Sequence, residues 1–247
     1  FLADIGIRVP FYAAGVLGVV AAILSQILLK EPERLEEPEQ DLETAGQNSL
    51  SKILMPKFLI AFIVIFVASF GLAAFESFFA LFVDHKFAFT PTDIAIAITG
   101  GAIIGAICQV LLFDGLMKGL GEIKLVRISL MLSAVLVMAL TVVSSYWMIM
   151  LVTFTVFIGF DLIRPAVTTY LSRIAGNDQG FVGGMNSFFT SLANVFGPIV
   201  GGIMFDIDIN YPFYFGTVVI IAGLVIAMMW KDPAMKKLMN HQKETTI

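Results

Sequence analysis

Seven separate apolar runs, each long enough to cross a lipid bilayer, constrain this chain more than any other feature. They cover 11–29, 58–83, 94–113, 125–143, 147–171, 181–205 and 213–230. A hydrocarbon core about 30 Å thick needs about 20 apolar residues in a helix. In lipid every backbone polar group must be bonded within the protein, so helices are the form these runs take. A membrane β-barrel would show alternation in pieces of about ten residues, and the sequence has none. The chain is 58% hydrophobic and 14% charged over 247 residues, against about 45–50% and about 25% in soluble domains. Its mean hydropathy is +0.92. The expected fold class is an all-α transmembrane protein.

The few polar residues exclude several chemistries. Cys108 is the single cysteine, which leaves no internal disulfide and no cysteine-based metal cluster. His85 and His241 lie far apart in polar stretches and give no support to a histidine-centred metal or catalytic site. No glycine-rich phosphate loop and no nucleophile–base–acid set can be assembled. The basic residues form no nucleic-acid patch. The expectation is a protein that is not an enzyme, with no metal, cofactor or nucleic-acid partner.

The basic residues instead follow the rule that short cytoplasmic loops are rich in Lys and Arg. One set of loops holds Lys30, Arg34, Lys52 and Lys57, then Lys118, Lys124 and Arg127, then Arg173, then Lys231, Lys236, Lys237 and Lys243. The opposite set holds Arg8 and Lys86. The first set, with the C-terminus, is expected in the cytoplasm. Most of the acid behind the net charge of −4 sits in one loop, 31–52. Its Pro, Glu and Gln content predicts a flexible linker.

An internal repeat organises the rest. "DIGIRVPFY" (4–12) and "DIDINYPFY" (206–214) match at both ends with the same spacing, and each precedes an apolar run ending in "KEP" (30–32) or "KDP" (231–233). The alternative is a chance match of membrane-boundary residues. Five segments lie between the pair. Two six-helix halves joined by the acidic linker would make these runs helices six and twelve of a larger parent. The chain begins with Phe1 and nothing precedes the first copy, so it is expected to be a fragment. The expected organisation is the last helix of an N-terminal half at 1–30, a cytoplasmic linker at 31–52, a C-terminal six-helix half at 53–232 and a cytoplasmic tail at 233–247.

The fourth and seventh segments are almost wholly apolar, with hydroxyls such as Ser129, Ser133 and Thr217 able to bond their own backbone, and are expected to face lipid. The second, third, fifth and sixth carry the polar residues and are expected to line a cavity. In the second, Glu76 sits among Phe75, Phe78 and Phe79. A charge at mid-bilayer costs roughly 2.5–3.5 kcal/mol on insertion scales, so an intramembrane acid is a functional candidate by default. Apolar surroundings favour its neutral form, which suits a proton carrier. The plain alternative is a Glu bonded permanently to a neighbour.

In the fifth segment Asp161 and Arg164 are three residues apart, on adjacent positions of one helix face. Arg164 stays charged and needs a counter-ion, which Asp161 can supply as a local ion pair. The pair could also break and re-form as Asp161 takes a proton. Phe157 shares the face of Asp161 and could stack on a flat ligand or simply pack. Pro165 removes a backbone bond and can kink the helix. In the sixth segment Asn186, Thr190 and Asn194 form a polar stripe, as interhelical glue or as ligand contacts; Gln109 in the third is open to the same two readings. Gly101 and Gly105 form a GxxxG pair best explained by close helix packing.

The stretches "SFGLAAFESFFALF" (69–82), "DIAIAITGGAIIGA" (93–106), "FIGFDLIRPAVTTYLSRIAGNDQGFVGGMNS" (157–187) and "NVFGPIVGGIMFD" (194–206) together resemble the C-terminal half of the NorA-type quinolone-resistance multidrug efflux pumps of Gram-positive bacteria. These are drug:proton antiporters of the major facilitator superfamily. The resemblance implies a twelve-helix parent of which this chain holds helices six to twelve, in a bacterial plasma membrane. It implies that Glu76 and Asp161 form the proton-coupling pair, with Arg164 in support. It places Ile98, Phe157 and Asn194 in the drug cavity, beside the candidate contacts Phe75, Phe79 and Asn186. The loop "FDGLMKGLGEIK" (113–124) resembles a degenerate copy of the superfamily's cytoplasmic loop motif, with its basic positions only partly kept.

The function expected is export of amphipathic or cationic drugs, such as quinolones and dyes, in exchange for protons. The partners expected are drug-like molecules, protons, the lipid bilayer and the missing N-terminal half. A proton-coupled metabolite symporter on the same fold and a non-transporting membrane sensor are the alternatives. Abundant Phe argues against the first, and the second explains the intramembrane acids poorly.

Overall fold

The computed structural model describes residues 6, 8–28, 55–176 and 178–230. The expected linker 31–52, the tail 233–247, part of the repeat's first copy, His241 and Lys30, Arg34, Lys52, Lys231, Lys236, Lys237 and Lys243 lie outside the described residues. Among those described there is no strand, and seven helices are long and apolar enough to cross a membrane. The chain divides into two units, Phe1–Gly46 and Gln47–Ile247.

The first unit contains α1 (Val9–Leu28). The Val9 amide donates to the Gly6 carbonyl at 2.9 Å. Pro10 falls in the first turn, where its missing N–H leaves no intrahelical bond unmade.

The second unit holds α2 (Pro56–Phe87), α3 (Pro91–Leu120), α4 (Glu122–Val142), α5 (Tyr146–Ala175), α6 (Gln179–Ile207) and α7 (Tyr211–Met229). Local chemistry sets their ends. Pro56 and Pro91 open α2 and α3. Thr90 caps α3 reciprocally: its hydroxyl oxygen accepts from the Asp93 amide at 3.2 Å, and the Asp93 carboxylate accepts from the Thr90 amide at 3.0 Å. α2 stops at Ala88, which adopts left-handed φ 53° and ψ 41° while its amide reaches the Asp84 carbonyl at 2.9 Å. One residue, Gly121, separates α3 from α4. Its φ of +78° is open to glycine and strained for a residue with a Cβ.

Several helices outrun their apolar segments. α3 continues from the predicted end at 113 to Leu120, through Asp114 and Lys118, and α2 continues through Asp84, His85 and Lys86. Hydropathy marks where a helix leaves the hydrocarbon, whereas the helix ends only where its backbone bonding is broken, here at Ala88 and Gly121. α5 runs unbroken through Pro165.

α2 and α5 occupy the middle of this unit. α2 packs on α6 and α7 and crosses α5; α5 packs on α3 and α4; α4 packs on α7. The core is aromatic, with Phe62, Phe79, Phe82 and Phe213 almost fully enclosed. α4 and α7 prove two-faced rather than simply lipid-facing. Ile128, Met131, Val135, Val218 and Val225 are exposed, but Ser129, Ser133 and Thr217 point into the packing. Thr217 does bond its own backbone, donating to the Phe213 carbonyl at 2.8 Å. Small polar residues lie inward because they let helices approach, and in lipid close packing replaces the hydrophobic drive between helices.

Charged side chains tie the helix ends. The Arg127 guanidinium donates to the carbonyls of Ala227 (2.8 Å), Met228 (3.3 Å) and Trp230 (2.6 Å) at the end of α7. The Ala227 carbonyl also accepts from the Trp230 amide at 3.2 Å, and a cation at these last carbonyls complements the C-terminal dipole. At the opposite end the Lys86 ammonium donates to the Thr141 carbonyl at 2.6 Å and to Asn210 Oδ1 at 3.0 Å. Asn210 is oriented in turn by Asp208, whose Oδ1 accepts from its backbone and side-chain amides at 2.8 and 2.9 Å.

Candidate functional site

The site begins with an aromatic contact between the two central helices. On α2 the residues Phe75 and Phe79 turn inward, and on α5 Phe157 meets them. The Phe75 and Phe157 rings stand edge-on with centroids 6.0 Å apart, and Phe75 also lies 5.3 Å from Phe79. These three rings expose 3%, 0% and 4% of their surface. They form a floor behind the site rather than its lining, because the face of α2 that carries them packs against α5 and α7. Phe79, expected as a drug contact, has no surface for a drug to touch.

Glu76 follows Phe75 directly, about 100° further round α2, and is exposed. Asp161, one turn beyond Phe157, is half-buried, and Arg164 is exposed. The charges of Asp161 and Arg164 both act on Glu76, and that of Arg164 acts on Asp161. The three groups therefore share one electrostatic neighbourhood beside the Phe75–Phe157 contact.

The expected local ion pair is not formed: among the described residues no salt bridge joins Asp161 to Arg164. A three-residue offset leaves side chains about 60° apart around the helix axis, and each follows a different neighbour. Arg164 stays on the open face. Asp161 turns onto α3, where its Oδ2 fills the space that a side chain on Gly105 would need. One turn earlier the Phe157 ring fills the corresponding space at Gly101. Gly101 with Phe157 and Gly105 with Asp161 keep one register, so α3 and α5 run parallel here. The GxxxG pair is thus a pair of notches for two site residues, beyond the general close packing expected. The equal spacing of four in Gly101–Gly105 and Phe157–Asp161 was the available signal.

The second glycine pair does the same for α2. A Cβ at Gly201 would run into the Phe78 ring, and one at Gly197 would come within 3.1 Å of the Phe70 carbonyl oxygen. Phe78 and Phe205 stack at 5.5 Å, and Phe62 and Phe189 at 5.3 Å, which continues the parallel register of α2 and α6.

Of the remaining candidates, Ile98 on α3 is half-buried against the core. Asn194 on α6 is exposed, and Asn186 has a buried Oδ1 with no hydrogen-bond partner. Among the described residues, no hydrogen bond or ion pair joins these three to the acids. Among the described residues no three His, Cys, Asp or Glu side chains are grouped to hold a metal ion. The His85 Nδ1 lies 3.0 Å from the Leu81 carbonyl of its own helix. Chemically, the arrangement offers two carboxyls, an exposed guanidinium and an apolar floor: groups that can hold protons or a charged ligand.

Comparison with known proteins gives the family. The Major Facilitator Superfamily matches residues 61–245. "Multidrug resistance protein 1" of Bacillus subtilis (strain 168) is 59% identical over 234 residues, covering 95% of this chain and 60% of that protein. "Multidrug resistance protein 2" of the same organism is 47% identical over 236 residues, 94% of this chain and 59% of that protein. "Quinolone resistance protein NorA" of Staphylococcus aureus (strain MRSA252) is 42% identical over 232 residues, again 94% and 59%. The chain thus spans about 60% of the length of these relatives. With seven membrane-length helices and a family match over most of its length, the chain belongs to the Major Facilitator Superfamily.

Proposed function

We propose that this chain is the C-terminal part of a proton-coupled multidrug efflux transporter, comprising helices six to twelve. Residues 1–30 would close the N-terminal half, 31–52 would link the halves, 53–232 would form the C-terminal half and 233–247 a cytoplasmic tail. The partners of this half are its N-terminal counterpart, drug-like molecules, protons and the bilayer of a bacterial plasma membrane. The Lys and Arg distribution supports a cytoplasmic C-terminus and an outside position for the Lys86 end. The printed names of the relatives, multidrug resistance and quinolone resistance proteins, support drugs as the substrate. Transport, not catalysis, is the activity.

The observation that carries this reading is the placement of two carboxylic acids on the central helices, Glu76 one residue from Phe75 on α2 and Asp161 one turn from Phe157 on α5, at the point where those two rings meet, with Arg164 exposed on α5. Two intramembrane acids in an apolar frame can exchange protons where a fixed ion pair could not. With the site open outward, protons neutralise the carboxylates and a cationic drug loses its counter-charge. With the site open inward, the acids release the protons and again attract a cation. Rocking of the halves alternates the access. Ile98, Asn186 and Asn194 serve as drug contacts, the aromatic rings as the rigid wall behind the acids.

The test is dye efflux from proteoliposomes holding the full-length transporter under an imposed pH gradient, with Glu76→Gln, Asp161→Asn and the double substitution. Each single change reduces proton-driven efflux and the double change abolishes it. Undiminished efflux in the double variant sinks the reading. Uptake of a labelled metabolite without dye export would assign the symporter alternative instead.

A further inference from the structure

The carboxyl of Asp161 is placed by the residue it touches on the next helix. A Cβ built on Gly105 would collide with Asp161 Oδ2 and stand 3.2 Å from its Cγ and 3.4 Å from the Phe157 Cβ. Gly105 itself is buried. The obstructing atoms belong to a short side chain on a helix already locked by Phe157 in the Gly101 notch, so Asp161 could move aside only by swinging out of the interface. On the open face it would meet Arg164 of its own helix and Glu76 of α2. Among the other helices packed on α5, α3 brings Cys108 about one turn beyond the notch, with Asp93, Asp114 and Lys118 nearer its ends. α4 carries Glu122, Lys124 and Arg127 at its start and α6 carries Asp206 at its finish. No titratable group opposes Asp161 from α3 within the notch.

We propose that Gly105 is a positioning residue for Asp161: its bare Cα leaves the space that holds the carboxyl against α3 and apart from Arg164, so that the acid stays exchangeable instead of locked in an ion pair. The proposal rests on the proton-coupling reading of Asp161. It explains two observations together: the absence of the three-residue ion pair among the described residues, and a buried glycine facing an acid. Gly101 then differs in kind. It accommodates a ring and serves packing alone.

The experiment compares Gly105→Ala with Gly101→Ala in the full-length transporter in proteoliposomes, using ethidium as the cationic probe and recording probe-dependent proton release across pH. Both substitutions add one methyl at a buried notch, and both lower thermal stability. Gly105→Ala alone shifts the pH of half-maximal proton release and lowers the protons moved per ethidium, and it has no further effect on coupling once Asp161 is Asn. Profiles for both variants that superimpose on the unsubstituted protein overturn the proposal, as does a Gly105→Ala shift that persists unchanged beside Asp161→Asn. If Gly105→Ala fails to accumulate in the membrane, the paired change Gly105→Ala with Asp161→Ala removes the colliding carboxyl. Restored accumulation supports the contact, and continued loss overturns it. Asp161→Asn on its own separates the two levels. If it leaves proton release intact, the proton-coupling reading fails; if it lowers release while Gly105→Ala matches Gly101→Ala, only the role of Gly105 fails.

Discussion

The Lys86 ammonium sits 2.6 Å from the carbonyl oxygen of Thr141, joining the ends of α2 and α4 where both helices leave the membrane. It also lies over the Phe82 and Phe87 rings at 4.9 and 5.6 Å and donates to Asn210 in the α6–α7 turn. One cation thereby holds three chain segments, and a cation at the last carbonyls of α4 is favoured by that helix's dipole. Lys86→Met keeps the stem and removes the donors. Half-exposed charge-assisted bonds of this kind are worth about 1–2 kcal/mol in total. The expected outcome is a fall in melting temperature of about 2–8 °C for a unit of this size, with dye affinity retained, measured by thermal unfolding in detergent.

Asp208 supports the same clasp from the α6–α7 turn. The Asn210 amide, then the Asn210 side chain, hold its carboxyl below the usual carboxylate range. A depressed folded value means that its contribution is present above the unfolded value of about 3.9 and is lost as pH falls through the folded one. Exchange protection of the Asn210 backbone amide is therefore expected to be flat from pH 8 down to about 4 and to drop below that. Asp208→Asn is expected to lose the protection already at neutral pH, as hydrogen-exchange mass spectrometry of the 208–214 peptide would report.

The seven spans were legible because lipid imposes both length and apolarity on any helix that crosses it. Their ends were not. Asp114 and Lys118 are poor membrane residues but acceptable helix residues, so α3 passes through them and stops at Gly121. The acids stand out as candidates for the same physical reason: a carboxyl is costly inside an apolar helix, and Glu76 and Asp161 both lie in one. The partner of Asp161 was misassigned because helix periodicity names neighbours on one helix and is silent about the helix opposite. Arg164 is near in sequence, whereas Gly105 is near in space. The rings of Phe75, Phe79 and Phe157 were expected to touch a ligand, whereas the packing of α2 against α5 and α7 buries them.

Arg127 and Arg173 offer a contrast in what an arginine is worth. Arg173 forms a two-point pair with Glu122, at 3.0 and 3.1 Å, but the pair is reached by water from the arginine side, with 41% of the arginine and 15% of the glutamate side chain exposed. Such pairs contribute about 0–1 kcal/mol. Glu122→Gln is expected to change the melting temperature little. Arg127 instead satisfies three helix-end carbonyls, one of them belonging to the nearly enclosed Trp230. Removing it takes the donor from the Met228 and Trp230 carbonyls and leaves Ala227 only its bond from the Trp230 amide, at a cost of about 2–3 kcal/mol. Arg127→Ala is expected to lower the melting temperature several times more than Glu122→Gln. Arg127→Lys, which can reach fewer carbonyls than the planar fork, is expected to fall between the two.

Gly197 and Gly201 both hold α6 against α2, yet what opposes them differs. A methyl at Gly201 meets ring carbons of Phe78, a half-buried side chain whose loss costs one stacking contact with Phe205. A methyl at Gly197 meets backbone: the Phe70 carbonyl oxygen at 3.1 Å and the Ala74 nitrogen at 3.2 Å. A ring can be shortened or turned, but backbone moves only with its helix. Overpacking at such sites costs about 1–3 kcal/mol. Gly201→Ala is therefore expected to be relieved by Phe78→Leu in the same chain, with a melting temperature above that of Gly201→Ala alone. Phe78→Leu is expected to give Gly197→Ala no relief, because it leaves the opposing backbone in place. Equal rescue of the two glycine variants would show that α6 and α2 can simply move apart, and that neither notch fixes their separation.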